Sequence, residues 1–435
     1  MMTGTSSKPI VPKELIFPFI LVTTLFALWG FANDLTNPMV KAFSQILRVS
    51  NFQGALVQFA FYGGYFVMAF PAALFIKRFN YKSGILVGLG LYAVGGLLFI
   101  PASQTLTFFP FLIAYFILTC GLSFLETTSN PYILSMGPEE TATRRLNFAQ
   151  SFNPLGSLLG MFTAQQIVLS QINPASAGER TKMTSEQLQQ VTASDLEIII
   201  GPYVAVAGVI ILIFIIMLLT RMPAKQDQDH SLQVKATLKR LFSNKKYYEG
   251  VVAQFFYIGA QIMCWTFIIH YATMELGMTS AEAQGYNIIA MILFAGSRFI
   301  TTYLMKYFRA GQMLMTFAIA GMALVLGVIF IQGIVGLYCL IGVSACMSLM
   351  FPTIYGIALR GLGADAKFGA AGLIMAIVGG SVMPPLQGAI IDLGTIFSYP
   401  AVRVSFVLPL ISFIVITIYG NRTERIHLKD VYKGQ

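Results

Sequence analysis

The stretch FFPFLIAYFILTCGLSFLETTSNPYILSM, Phe108–Met136, decides the fold. It is long enough to cross a bilayer as a helix, which takes about 20 apolar residues. It holds one charged residue, Glu126, and no lysine or arginine to neutralise it. A carboxylate at the depth of lipid hydrocarbon costs several kcal/mol, so such a group faces a cavity and acts there. Only one other acid, Asp34 in the run Ile16–Leu47, lies comparably deep.

Outward from that run, about twelve apolar stretches of spanning length follow one another, roughly at 16–47, 52–76, 84–102, 106–135, 146–170, 199–220, 248–275, 284–305, 312–332, 334–359, 369–391 and 398–420. The chain is 56% hydrophobic and 11% charged, with mean hydropathy +0.72; soluble domains carry roughly a quarter charged residues. Strands of a membrane barrel are about half this length and alternate in polarity, and these runs do not alternate. The expected fold is an all-α membrane protein of twelve transmembrane helices.

The net charge of +10 is distributed as topology rather than as a nucleic-acid footprint. Lys77, Arg78, Lys82, Arg144, Arg145, Arg221, Lys235 to Lys246, Lys306, Arg309, Arg360, Lys367 and Arg422 fall on one set of alternate loops; the other set has Lys41, Arg48, Arg180, Lys182 and Arg403. Both termini are therefore expected on the cytoplasmic side of the membrane. The first apolar run is too long for a cleavable signal peptide. Cys120, Cys264, Cys339 and Cys346 all lie in apolar runs and read as small buried hydrophobes.

The longest polar stretch, 222–246, divides the chain into halves, 1–221 and 247–435. A second polar insertion, Asn173 to Glu197, contains Thr184-Ser185-Glu186-Gln187-Leu188, which predicts a short capped helix. The halves echo one another weakly. Ile76-Lys77-Arg78-Phe79 matches Met305-Lys306-Tyr307-Phe308-Arg309, and Asn130-Pro131-Tyr132-Ile133 matches Phe351-Pro352-Thr353-Ile354. Such internal repeats mark transporters in which two pseudo-symmetric halves rock around a substrate near midplane. Glycine-rich faces, Gly63-Gly64, Gly156 with Gly160, and Gly379-Gly380, are expected to let helices approach closely and slide.

Polar groups punctuate the spans. Span one carries Asn33-Asp34-Leu35-Thr36-Asn37-Pro38, with Asn33 and Asn37 on one face and Pro38 permitting a kink. Polar residues beside a helix break are tolerated at membrane depth where they line a cavity. Span four gives Glu126-Thr127-Thr128-Ser129-Asn130-Pro131, and a carboxyl that loads and releases a proton there makes the carrier cheap to reorient. Span five offers Asn147, Gln150 and Asn153 one turn apart; amides donate and accept, which suits a polyhydroxylated neutral ligand. In span seven Gln254, Tyr257, Gln261 and Trp265 form one stripe, amides for hydroxyls and an indole for the C–H face of a sugar. Arg298, the lone base inside a span, is expected to serve structure, on carbonyls or an acid. His270 is expected to be exposed at the interface.

Four segments carry a family resemblance: Phe61-Tyr62-Gly63-Gly64-Tyr65-Phe66, Leu125-Glu126-Thr127 through Asn130-Pro131, Arg145 through Asn153, and Ala253-Gln254-Phe255 through Gly259-Ala260-Gln261. On these the chain resembles the L-fucose–proton symporter family of the major facilitator superfamily along essentially its whole length. The resemblance implies the major facilitator fold and import of a sugar such as fucose, galactose or glucose, mostly with protons. It implies a coupling and sugar-binding role for Glu126 and sugar contacts for Gln150 and Asn153. Two positions depart from it. The family's span-one acid would fall at Asn37, whereas this chain has Asp34 one turn earlier, and Phe351 stands where some relatives have a tyrosine.

The leading expectation is a proton-coupled monosaccharide symporter. Glu126 and Asp34 couple protons, and Asn33, Asn37, Asn130, Gln150, Asn153, Gln254, Tyr257, Gln261 and Trp265 hold sugar. Its partners are the sugar, protons and the bilayer; it is expected to act as a monomer, without cofactor, metal or nucleic acid. Sodium is the alternative coupling ion. A sugar-binding sensor is a second class, for which the cytoplasmic segments are too short. An enzyme is not expected, since His230, His270 and His427 show no ligand spacing.

Overall fold

The computed structural model describes residues 10–48, 51–173, 175, 177–222, 234–278, 280–391 and 393–433. The chain is almost wholly helical, and among the described residues eleven helices are long and apolar enough to cross a membrane. It divides into two compact units: Ile20–Ser129 with Phe152–Leu232, and Met1–Phe19 with Asn130–Ser151 and Gln233–Gln435. The polar stretch 222–246 ends in the helix Val234–Ser243; its residues 223–233 lie outside the described residues. By contact Asn130–Ser151 groups with the segments beyond Gln233.

The expected run 146–170 is the one that does not recur among the helices of spanning length. It consists of Ala142–Gln150, then Asn153–Thr163, then a π-turn Ala164–Leu169. Pro154 causes the first break: it has no N–H to give the Gln150 carbonyl four residues back, and its ring crowds that carbonyl. Span ten breaks in the same way. Ile334–Met347 gives way to Met350–Leu359, and Pro352 leaves the Ser348 carbonyl without its helical donor.

In the first unit, glycines set the helix spacings. A Cβ at Gly156 would strike the Ala27 carbonyl, one at Gly30 the Asn153 carbonyl, and one at Gly160 would lie 2.5 Å from the Phe31 carbonyl. Span five thus rests directly on the backbone of span one. Gly95 meets the Leu118 backbone and Gly121 that of Tyr92, joining Tyr81–Leu97 to Phe109–Ser135. Gly63 faces open space, so it makes no comparable contact, whereas Gly64 beside it does. Tyr115 and Tyr203 share a buried hydroxyl hydrogen bond of 2.8 Å, and Phe99 stacks on Tyr203.

The polar insertion departs from the short capped helix expected of it. The Thr184 capping box with Gln187 is present, but it opens a 35-residue helix, Ser185–Leu219. At 1.5 Å per residue such a helix is about 50 Å long, against a hydrocarbon core of about 30 Å. Its first turns therefore stand clear of the apolar run. The insertion is anchored by Arg180, which donates to Asp195 at 2.5 Å and to the Asn173 and Ala175 carbonyls at 3.0 Å. Both ends of that ion pair are buried.

In the second unit, Lys245–Leu276 is the central helix. Gly379 lets the Gly379–Ile391 helix press against its Phe255 carbonyl, and Gly250 lies against Ala358 and Tyr419. On the basic-loop side Arg240 makes a two-pronged pair with Asp365, at 2.8 and 2.7 Å, which fastens Val234–Ser243 to the turn after span ten. Arg309 pairs with Glu424 at 2.8 Å. These exposed pairs contribute little stability each, about 1 kcal/mol or less.

Candidate functional site

The polar groups inside the spans fall into two sets, one in each unit. In the first unit, Asn51–Arg78 and Phe109–Ser135 carry Tyr65 and the Glu126 carboxyl. The Tyr65 hydroxyl donates to Glu126 Oε1 at 3.4 Å. One turn before Glu126, Ser123 Oγ donates to the Tyr65 carbonyl at 3.0 Å. Glu126 is half-buried while Thr127, Thr128, Ser129 and Asn130 after it are fully buried.

Asp34 and Asn33 are half-buried on the first helix, Ile16–Ile46. The Asp34 carboxylate acts electrostatically on Tyr62, which lies one turn from Tyr65 on span two. Each in-span acid thus has a span-two tyrosine associated with it. The side chain of Asn37 lies outside the described residues. Asn153 uses its amide Nδ2 to donate to the Phe26 carbonyl at 3.1 Å, so one of its two N–H donors is spent on span one. Near it Trp29 is buried, with no partner for its indole N–H among the described residues.

In the second unit the centre is Arg298, 3% exposed. Its Nη1 donates to the Gln150 carbonyl at 3.0 Å and its Nε donates to the Ser348 carbonyl at 2.5 Å. Those are the two carbonyls that Pro154 and Pro352 deprive of helical donors. One guanidinium, with its fixed fork of N–H groups, therefore satisfies the breaks of spans five and ten together. Its other face covers the Phe294 ring at 4.6 Å, and Trp265 meets the same ring edge-on at 5.0 Å. Sequence reasoning gives Arg298 a structural role on carbonyls or an acid; its carbonyl partners come from spans five and ten. A signal for them exists in the sequence, because each proline names the carbonyl it frees.

Around this clamp the amides are ordered. Gln150 Nε2 donates to Asn130 Oδ1 at 2.8 Å, which orients both. Asn147 Nδ2 donates to Thr353 Oγ1 at 3.2 Å, and the Ser151 and Thr302 hydroxyls lie 3.4 Å apart. Tyr257 donates to the Met347 carbonyl at 3.2 Å and Trp265 Nε1 donates to Ser344 Oγ at 3.2 Å. Two members of the span-seven stripe thus face span ten, at positions one turn apart. Gln254 is fully buried with neither amide atom bonded among the described residues, and Gln261 is half-buried. Phe351 stacks on Tyr355 at 6.1 Å. His270 is exposed. Among the described residues no group of three His, Cys, Asp or Glu side chains gathers as a metal site.

Long apolar helices, span breaks with their carbonyls satisfied by side chains, and acids inside the apolar runs define a secondary transporter: the chain belongs to the Major Facilitator Superfamily, whose family model matches residues 20–384. Within it the chain is a member of the L-fucose–proton symporter family. It is 56% identical over 423 residues to the L-fucose-proton symporter of Haemophilus influenzae, covering 96% of this chain and 99% of that one. It is 36% identical over 414 residues to the L-fucose-proton symporter of Escherichia coli, with 94% and 93% covered. A crystal structure of the Escherichia coli fucose:proton symporter superposes with a TM-score of 0.87 at 35% identity, covering 94% of this chain and 99% of that one.

Proposed function

We propose that this protein imports a neutral, fucose-like monosaccharide together with protons across a bacterial inner membrane, by alternating access. The observation that carries the reading is the Glu126 carboxyl, the one charge in the apolar run 108–136 and hydrogen-bonded by Tyr65, in a chain whose near relatives are proton symporters of L-fucose. Protonation removes a charge from the hydrocarbon and so changes what the reorientation costs. Gln150 with Asn130, Asn153, Asn33, Gln254, Gln261 and Trp265 supply the amides and the aromatic face that a sugar needs. Two halves, 1–221 and 247–435 joined by 222–246, do the rocking. Both termini face the cytoplasm, and the working unit is a monomer.

The test is uptake of labelled L-fucose into proteoliposomes under an inward proton gradient with sodium absent. Accumulation under those conditions is expected; uptake that begins only when sodium is added overturns proton coupling. A competition panel of other monosaccharides then defines the substrate.

The displaced span-one acid gives a second expectation. Asp34→Asn should impair proton-driven accumulation more than Asn37→Asp does, because Asp34 is the acid this span carries, half-buried on the first helix and acting on Tyr62 of span two. Accumulation ratios of the two variants in the same vesicles check this, and the reverse order would return the role to position 37.

A further inference from the structure

Span two meets span four at three successive turns. Gly64 provides the first contact: a Cβ there would come within 2.5 Å of Thr119 Oγ1. Ser123 provides the second, through its bond to the Tyr65 carbonyl. The Tyr65 hydroxyl on Glu126 is the third. Thr119, Ser123 and Glu126 recur at i, i+4 and i+7, one stripe of the helix, and all three meet span two at Gly64–Tyr65.

The three contacts differ in kind. Thr119 and Ser123 meet backbone or a missing side chain, and nothing about them changes with pH. Tyr65 donates to the only acid in the run 108–136. A phenol holds a carboxylate through a charge-assisted bond, roughly twice as strong as the bond it makes to a neutral acid. At 3.4 Å the contact is long for an O–H···O bond, so it can tighten or release as the charge changes. Tyr65 is itself 6% exposed, and water does not readily replace its partner. The titratable groups facing the pair are Tyr62 on the same helix, on which Asp34 acts, and Tyr92 on span three. The Tyr92 hydroxyl is committed to the Leu28 carbonyl at 3.3 Å.

We infer that Tyr65 is a positioning residue of the transport cycle, which grips span four when Glu126 is ionised and loosens when Glu126 is protonated, so that proton loading is felt as a change in the span-two contact. The inference rests on Glu126 being the coupling carboxyl. No bond is made or broken beyond the exchange of one proton between Glu126 and water.

The experiment uses the full chain in proteoliposomes and reads the initial rate of proton-driven L-fucose uptake over a series of external pH values. Tyr65→Phe keeps the ring and removes the donor. Its profile is expected to move to the alkaline side by about half a pH unit to one unit, since a bond favouring the carboxylate is gone, while sugar counterflow at fixed pH persists. Ser123→Ala removes the neighbouring bond between the same two helices and should leave the profile where it was. If Tyr65→Phe does not yield a folded protein, Glu126→Asp breaks the same contact from the other side and should displace the profile in the same direction. A profile of either variant that superimposes on the native one overturns the inference, as does an equal displacement by Ser123→Ala. Full accumulation by Glu126→Gln would instead remove the reading beneath it, and the two failures are told apart by that variant.

Discussion

Glu126→Gln is expected to abolish proton-driven accumulation of sugar while leaving exchange of internal for external sugar in place. The substitution keeps the volume and leaves an oxygen able to accept from the Tyr65 hydroxyl, so the packing of the two helices survives while titration, and with it the charge-assisted grip of Tyr65, is lost. A proton moving down a gradient of one pH unit supplies about 1.4 kcal/mol, which supports a sugar gradient of about tenfold. Without a titrating carboxyl that drive has no route to the sugar, and the final ratio of internal to external sugar should settle near one. Exchange needs only the loaded carrier to reorient, and the amide mimics the neutral acid that does so. Counterflow and accumulation measured on the same vesicles separate the two. A Glu126→Gln variant that accumulates as the native protein does would remove Glu126 from the coupling step.

Arg298→Ala is expected to cost both stability and transport. The alanine leaves the carbonyls of Gln150 and Ser348 without their guanidinium donor and uncovers the Phe294 ring. A hydrogen bond to a charged group contributes about 1.5–3 kcal/mol, so loss of the two should destabilise the second unit by about 3–6 kcal/mol. The readout is the temperature at which the detergent-purified protein ceases to run as a single peak in size-exclusion chromatography. Arg298→Lys is expected to fall between, because one ammonium on a flexible stem reaches either carbonyl but does not present the planar fork that reaches both. A lysine variant as stable and as active as the native protein would mean that charge alone suffices.

Much of the architecture is legible in composition and run length. Eleven of the apolar runs recur as helices of spanning length among the described residues, and Glu126 stands out as the one charge in Phe108–Met136. Partners are harder to read. Arg298 lies 148 residues from Gln150 and 50 from Ser348, and no local pattern connects such positions. Half of the information is nevertheless local, since Pro154 and Pro352 identify which carbonyls need a donor. Asn153 shows the opposite limit: its spacing with Gln150 suggests two equivalent ligand amides, yet Nδ2 of Asn153 is committed to Phe26 because Gly30, Gly156 and Gly160 bring spans one and five into backbone contact. The capping box at Thr184 does mark a helix start, but nothing at that position says how far the helix runs.

The interruption at Ser151-Phe152 also bears on how the two faces of this protein are assigned. A tally of helical stretches long and apolar enough to span reaches eleven among the described residues, an odd number, which would place the segments after Leu169 on the wrong side of the bilayer. The lysines and arginines between Arg221 and Lys246, and those at Lys306, Arg309 and Arg360, would then lie outside the cell, against the strong bias that keeps such residues inside. Counting the proline-split segment 142–169 as one crossing restores parity, so a reporter fused near Lys306 and one fused near Lys82 should light up on the same face.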